Sequence, residues 1–263
     1  CGFWRGGIFG LAPLAQKKPW AGSGGGEAFA RSGLRNVAIG RYTTQIGAGA
    51  FSDCADLTAI TVASNNASFF SANGVLFDRF VEITQSGWTD RIGLFQYPAG
   101  KQGAYSIPEG VVRVQARAFS GCRNLTDIAF GNSITDIGHY AFRGCRGLAE
   151  FELPDNIVSV AHYAFESCTG ATNVWIGTGV TNMGYNVFEN CVGLTRVYFS
   201  GNAPGLSGSV LFNGATNAAI YRLPGAAESP DVPGLWADRP TALWPPETMA
   251  DEKAALPARF RTH

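Results

Sequence analysis

Apolar residues return along the middle of the chain with two superposed periods, a short one of two residues and a long one of 23. The long period is marked by Phe119, Phe142, Phe165 and Phe188, and a cysteine follows three residues after each: Cys122, Cys145, Cys168 and Cys191. Six residues after each phenylalanine stands Leu125, Leu148, Ala171 or Leu194. An apolar pair follows at nine and eleven: Ile128 with Phe130, Phe151 with Leu153, Val174 with Ile176, Val197 with Phe199. That alternation predicts a short strand whose apolar positions point inward while the positions between them point outward. A second brief strand is expected before each phenylalanine, at 111–114, 134–137, 157–160 and 180–183, with a tight 3₁₀-type turn joining the two. Units of this length bury their apolar side only against neighbouring units, so the chain should wind as a solenoid.

The period extends upstream. Phe51 with Cys54, Leu57, Ile60 and Val62 is a complete unit, and Phe29 with Leu34, Val37 and Ile39 is one residue shorter, with Ser32 in place of the cysteine. From Phe51 to Phe119 the step is 68 residues and the middle does not repeat; Asn73-Gly74 between apolar runs signals a hairpin there. The expected organisation is an N-terminal segment over 1–23, flexible in its glycine-rich end, N-terminal repeats over 24–63, and an irregular β insertion over 64–105 that widens the solenoid. Regular repeats over 106–199, a capping unit over 200–246 with Trp236 and Trp244, and a charged tail over 247–263 with a frayed helical turn follow. The fold class is therefore mainly β: a right-handed leucine-rich-repeat solenoid of ~23-residue units with short strands, 3₁₀ turns and little α-helix.

Charge and composition remove several function classes. Twenty basic residues balance twenty acidic ones, and no Lys/Arg cluster exceeds Lys17-Lys18, so nothing attracts nucleic acid or an anionic membrane. No uncharged apolar run approaches the roughly 18 residues of a membrane span. The chain starts at Cys1 rather than Met, which fits either a lipoprotein anchored through Cys1 or a fragment. Five cysteines share one phase of the repeat and are expected as a buried ladder of free thiols. No C-x-x-C pair exists, and with three histidines no metal site is expected. Motifs for nucleophilic, metal-dependent and phosphate chemistry are missing, so no catalytic residues and no cofactor are expected. Gly22 to Gly26 read as a linker. His139 and His162, both three residues before a repeat phenylalanine, should stack on adjacent coils as a solvated pair.

The unit Ile137-Gly138-x-x-Ala141-Phe142-x-x-Cys145-x-x-Leu148-x-x-Phe151-x-Leu153-Pro154 resembles the BspA-like, Treponema-type leucine-rich repeat. Asn73-Gly74-Val75-Leu76-Phe77 with Tyr97-Pro98-Ala99-Gly100 looks like that family's irregular segment, and Gly201-Asn202-Ala203-Pro204 with Tyr221-Arg222-Leu223-Pro224-Gly225 is similar to its closing segment. The resemblance covers about residues 27 to 244 and implies a secreted or cell-surface bacterial protein, with adhesins that bind matrix proteins among its members.

The candidate binding surface comes from the outward positions of the strand that follows each cysteine. Ten residues after the phenylalanine the column reads Ala129, Glu152, Trp175, Tyr198; at eight it reads Asp127, Glu150, Asn173, Arg196. Two exposed aromatics flanked by Arg196, Asn173 and the acidic Asp127, Glu150 and Glu152 would make a patch for an extracellular protein or glycan. The alternative is a cross-strand pair that only stabilises the sheet, in a module that serves as a structural spacer.

Overall fold

The computed structural model describes residues 27–85, 87–202, 204–206, 210–222, 234–236 and 239–243. The expectations for 1–23, for the glycines 22–26, for Trp244 and for the tail 247–263 lie outside these residues, as does much of the capping unit. Among the described residues there is no α-helix.

Each regular coil contributes to two lines of parallel strands. In the first, Glu150–Leu153, Asn173–Ile176, Arg196–Phe199, Ala219–Arg222 and Arg239–Leu243 run side by side, with Gly234–Trp236 antiparallel at the end. Asn36–Ile39 with Ala59–Val62, and Gly103–Ser106 with Leu125–Ala129, are the same kind of parallel pair earlier in the chain. The register joins residues 23 apart, as in Phe151↔Val174↔Val197, so the sequence period is the coil period. The second line holds Val111–Val114, Asp136–Ile137, Ser159–Val160, Asn182–Met183 and Gly205–Leu206. Most of these are shorter than expected because the chain is still turning at their start: Ile134, Ile157 and Val180 each donate back to the carbonyl three residues earlier.

A third line of bonds runs through the turns. The turn itself has i→i+3 bonds, such as Cys122 N–H to the Phe119 carbonyl at 3.1 Å. Left-handed residues bracket it, with φ of 63° at Arg117, 57° at Tyr140 and 59° at Tyr163 two positions before the phenylalanine, and 58° at Ser167 and 56° at Asn190 two positions after. Between these left-handed residues, four positions apart, alternate amides point the same way along the solenoid axis. Arg117, Phe119 and Gly121 thus donate to His139, Ala141 and Arg143 of the next coil at 2.9, 2.7 and 2.8 Å. This satisfies backbone groups that a buried turn would otherwise strand.

Inside, the phenylalanines form one stacked column: centroids are 4.6 Å apart for Phe119–Phe142, 5.0 Å for Phe142–Phe165, 5.7 Å for Phe165–Phe188 and 5.5 Å for Phe188–Phe212. Tyr97 stacks on Phe119 at 5.0 Å and its N–H donates to the Ala118 carbonyl, so it takes the phenylalanine's place in the irregular coil. The Asp53 N–H also bonds the Ser120 carbonyl at 3.1 Å, tying the Phe51 unit to the Phe119 unit across the inserted stretch.

Beside that column run Cys54, Cys122, Cys145, Cys168 and Cys191, all buried and free. The thiols of Cys145, Cys168 and Cys191 donate to the carbonyls of Phe119, Phe142 and Phe165 at 3.2, 3.1 and 3.1 Å. Burial holds Cys145 and Cys168 well above the usual thiol range; Cys191 is raised first by its contact with Cys168 and then by burial. With the thiolate suppressed and hidden, iodoacetamide should label these residues slowly in native protein and quickly after denaturation. Fast native labelling, followed by peptide mass mapping to these positions, would contradict the ladder.

In the inserted stretch, Phe69–Ala72 pairs antiparallel with Val75–Thr84 through Asn73 (φ 50°) and Gly74 (φ 77°), the paired positive angles of a type I′ turn. Val75–Thr84 then pairs with Gly87–Gln96, whose Ile92 to Leu94 join the second strand line at Val111 to Val114. Beyond Arg79, whose N–H still reaches the Ser68 carbonyl, the first of these long strands has, among the described residues, no partner on its outer side. A two-stranded ribbon therefore stands out from the solenoid.

Candidate functional site

The register brings the predicted columns together: Glu152↔Trp175↔Tyr198↔Tyr221 on one line, and Glu150↔Asn173↔Arg196 on the next. Asp127 lies on Leu125–Ala129, paired with Gly103–Ser106. The expected exposure of the aromatics is corrected by the structure. Trp175 is only 8% exposed and Tyr198 only 2%. The reason is stacking: Trp175 and Tyr198 lie 5.4 Å apart at 12°, and Tyr221, one coil further, covers the other face of Tyr198 at 5.2 Å. A ring between two rings has no face left for a ligand. Of the polar neighbours, Arg196 is exposed, while Asp127, Glu150, Glu152 and Asn173 are half-buried. Asn173 donates to Glu150 Oε1 at 2.6 Å, which ties these two to each other, while the Asn173 Oδ1 has no hydrogen-bond partner among the described residues.

The rings of His139 and His162 lie 5.1 Å apart on adjacent coils, tilted by 35°. Nδ1 of His162 accepts the Tyr185 N–H at 2.9 Å, so its ring proton sits on Nε2, and burial, then the nearby His139, lowers its pKa. The adjacent Tyr140 and Tyr163 stack at 4.8 Å and 2°, with Arg117 over Tyr140 at 4.8 Å. Sequence reading placed the two histidines side by side but missed the tyrosine ridge next to them, although Tyr140 and Tyr163 stand two places before the repeat phenylalanine. Among the described residues no group of three or more His, Cys, Asp or Glu side chains is arranged to hold a metal. Arg222 was also missed. It occupies the inward position of the Phe199 line, 2% exposed, and its guanidinium nitrogens have no hydrogen-bond partner among the described residues.

A cluster of exposed apolar side chains lies elsewhere, on the projecting ribbon. Trp88 is 76% exposed, Ile83 72% and Val81 52%. Ile83 faces Trp88 directly and Val81 faces Asp90, so alternation puts all four side chains on one face. The other face turns to the solenoid. There Arg113 lies 3.3 Å from the centre of the Phe80 ring, Arg91 pairs with Glu82 at 2.8 Å, and a cavity of about 640 Å³ opens between the ribbon and Gly110, Ser133 and Asp136. The ribbon's base is clamped: Gln115 donates to Asp78 Oδ2 at 2.7 Å, Arg113 stands 3.9 Å from the same oxygen, and Arg79 donates to the Phe69 carbonyl at 3.0 Å. Burial raises the Asp78 pKa in spite of Arg113. Sequence reading registered this stretch only as strand-like. Its signal was the alternation Val81-Glu82-Ile83 against Trp88-Thr89-Asp90, which shows an apolar side with no repeat to pack against.

No helix of the described residues is long and apolar enough to cross a membrane. No curated protein matches the chain. Among solved structures it is similar to a leucine-rich repeat protein from Eubacterium ventriosum, with a TM-score of 0.64 and 22% identity over 82% of this chain and 61% of that one. It is also similar to the pneumococcal vaccine antigen PcpA, with a TM-score of 0.62 and 22% identity over 74% of this chain and 47% of the antigen. A leucine-rich cell surface protein from Faecalibacterium prausnitzii is 27% identical over 67% of this chain and 50% of its own length, with a TM-score of 0.51. The chain thus spans from about half to about three fifths of these proteins. Six copies of the repeat described as the BspA type leucine rich repeat region match residues 23–77 and 93–217, well over half of the sequence, and stop on either side of the projecting ribbon. The chain therefore belongs to the BspA-type leucine-rich-repeat family.

Proposed function

We propose that the chain is a non-enzymatic binding module displayed at or beyond the bacterial cell surface, and that it grips a protein partner through the ribbon of residues 78–92. One observation carries this reading: the stretch that the family repeats leave unmatched is the one that presents Trp88, Ile83 and Val81 to solvent. Contiguous apolar side chains in water have a free-energy cost and mark interaction sites when they are not needed for packing. Two aliphatic residues beside a tryptophan suit a protein surface better than a glycan, which needs polar groups to fix its hydroxyls. A spacer, the alternative reading, calls for a uniformly small and polar surface, and this face is neither. The names of two similar structures, a cell surface protein and a vaccine antigen, support display at the surface.

The test is a panel of immobilised extracellular-matrix proteins and bacterial glycans, probed with the wild type and with an Ile83→Ser, Trp88→Ser double variant. Truncating a true anchor pair costs about 2 kcal/mol or more, roughly a thirtyfold loss of affinity. Because both side chains are exposed, the melting temperature should hold. Arg196→Ala in the same panel assigns or denies the polar column of the sheet a share of the contact. Unchanged affinity of the double variant for a protein that the wild type binds would remove the ribbon from the site.

A further inference from the structure

The ribbon offers more than an apolar face. The Arg79 N–H donates to the Ser68 carbonyl at 2.8 Å, so that residue's backbone points to the outer edge. Backbone groups alternate along a strand, which turns the N–H and C=O of Val81 and Ile83 to the same edge, where no strand pairs among the described residues. The open edge, residues 80–84, is flanked by exposed apolar side chains, and it carries neither proline nor lysine, the devices that usually blunt such an edge.

We propose that this edge accepts an extended polypeptide segment as an added strand, a segment with alternate apolar side chains and one lysine or arginine. The inference rests on reading the ribbon as the binding element and specifies how it binds. Backbone bonds to Val81 and Ile83 would hold the segment, and its apolar side chains would lie beside Val81 and Ile83 on the face that ends in Trp88. The cation answers Asp90, an exposed carboxylate on that face that forms no ion pair among the described residues, unlike Glu82 on the opposite face, which Arg91 neutralises. Asp90 sits two strands from the added one, roughly 10 Å, which a long basic side chain spans by lying over Val81.

Area and charge argue against a second copy of the chain in that place. The three apolar side chains expose on the order of 400 Å², about half of the ~800 Å² per partner typical of a stable interface. A second copy also brings no free cation on this face, since Arg79 already donates to the Asn66 and Phe69 carbonyls. A lipid surface with anionic headgroups laid on this face would meet the Asp90 carboxylate and be repelled.

The probe is a fluorescein-labelled nonapeptide alternating valine with threonine around a central lysine, measured by anisotropy against the full chain. The same peptide with central glutamate should bind at least tenfold more weakly, and one N-methylated at alternate amides should not bind. Val81→Pro is the decisive variant. Its N–H takes no part in the ribbon's own ladder, and proline is tolerated on an edge whose N–H faces solvent, so the fold should stand while the added strand loses a donor. Binding should fall at least tenfold in Val81→Pro and persist in Val81→Thr. Asp90→Asn should erase the preference for lysine over glutamate.

Binding of the lysine peptide that is equal in Val81→Pro and wild type overturns the proposal, as does failure of all three peptides to bind. Self-association in sedimentation velocity that Val81→Pro abolishes would assign the edge to a second copy. Trp88-dependent flotation with phosphatidylcholine–phosphatidylglycerol vesicles, without peptide binding, would assign it to lipid. If proteins from the panel still require Ile83 and Trp88 but ignore Val81→Pro, strand addition fails while the binding function stands.

Discussion

Replacing Phe142 by alanine should lower the stability of the solenoid by about 3 to 5 kcal/mol, the range for removing a fully buried aromatic. The ring is 0% exposed and lies between Phe119 at 4.6 Å and Phe165 at 5.0 Å, with Phe130 edge-on at 5.7 Å. The cavity cannot close by drawing the coils together. Their spacing is fixed by backbone bonds on both sides, from Phe119 to the Ala141 carbonyl and from Phe142 to the Ala164 carbonyl, each 2.7 Å. In a solenoid each unit is stabilised only by its neighbours, so the loss weakens two interfaces at once and should broaden the transition as well as move it. Urea denaturation followed by circular dichroism measures both effects. A midpoint that does not move would mean that Phe142 stands outside the column.

What the sequence made legible follows from which contacts it encodes locally. The coil period, the inward phenylalanine and cysteine columns and the Asn73-Gly74 turn each leave a signature within a few residues, and the structure has all of them. The outward columns were also placed in register. Their exposure was not legible, because it depends on stacking along the axis: Trp175 and Tyr198 point away from the core as expected but are closed by each other and by Tyr221. Strand parity says which way a side chain leaves the sheet, and it says nothing of what lies over it. The ribbon was hidden for the opposite reason. Its alternation marks an apolar side outside the repeat, but only the structure shows that this side of Val81 and Ile83 stays open to solvent.

Glycine supplies the other large expected effect, through space rather than backbone freedom. Two residues after the cysteine, Gly147, Gly170 and Gly193 form a column in which each coil presses on the one before. A Cβ at Gly193 would lie 2.5 Å from the Thr169 carbonyl oxygen, and one at Gly147 would lie 2.7 Å from the oxygens of Arg123 and Leu125. At Gly170 it would run into the Arg146 carbonyl oxygen, with the Leu148 oxygen 3.4 Å away. These are backbone atoms, so no side chain can swing clear. Gly170→Ala must push two coils apart and stretch the bond from the Thr172 N–H to the Ala149 carbonyl, now 2.7 Å. Overpacking on this scale costs about 3 kcal/mol. Gly144 is the control. Its φ is 71°, but a Cβ there meets nothing within 4 Å, and Ser167 and Asn190 fill the same turn position with φ of 58° and 56°. Gly144→Asn should therefore cost well under about 1 kcal/mol, the left-handed penalty being small for asparagine. The two variants differ by one methyl against a carbonyl on one side and a polar side chain in open space on the other. Thermal denaturation of both would read the difference directly, and equal melting temperatures would mean that the coils are not in contact at Gly170.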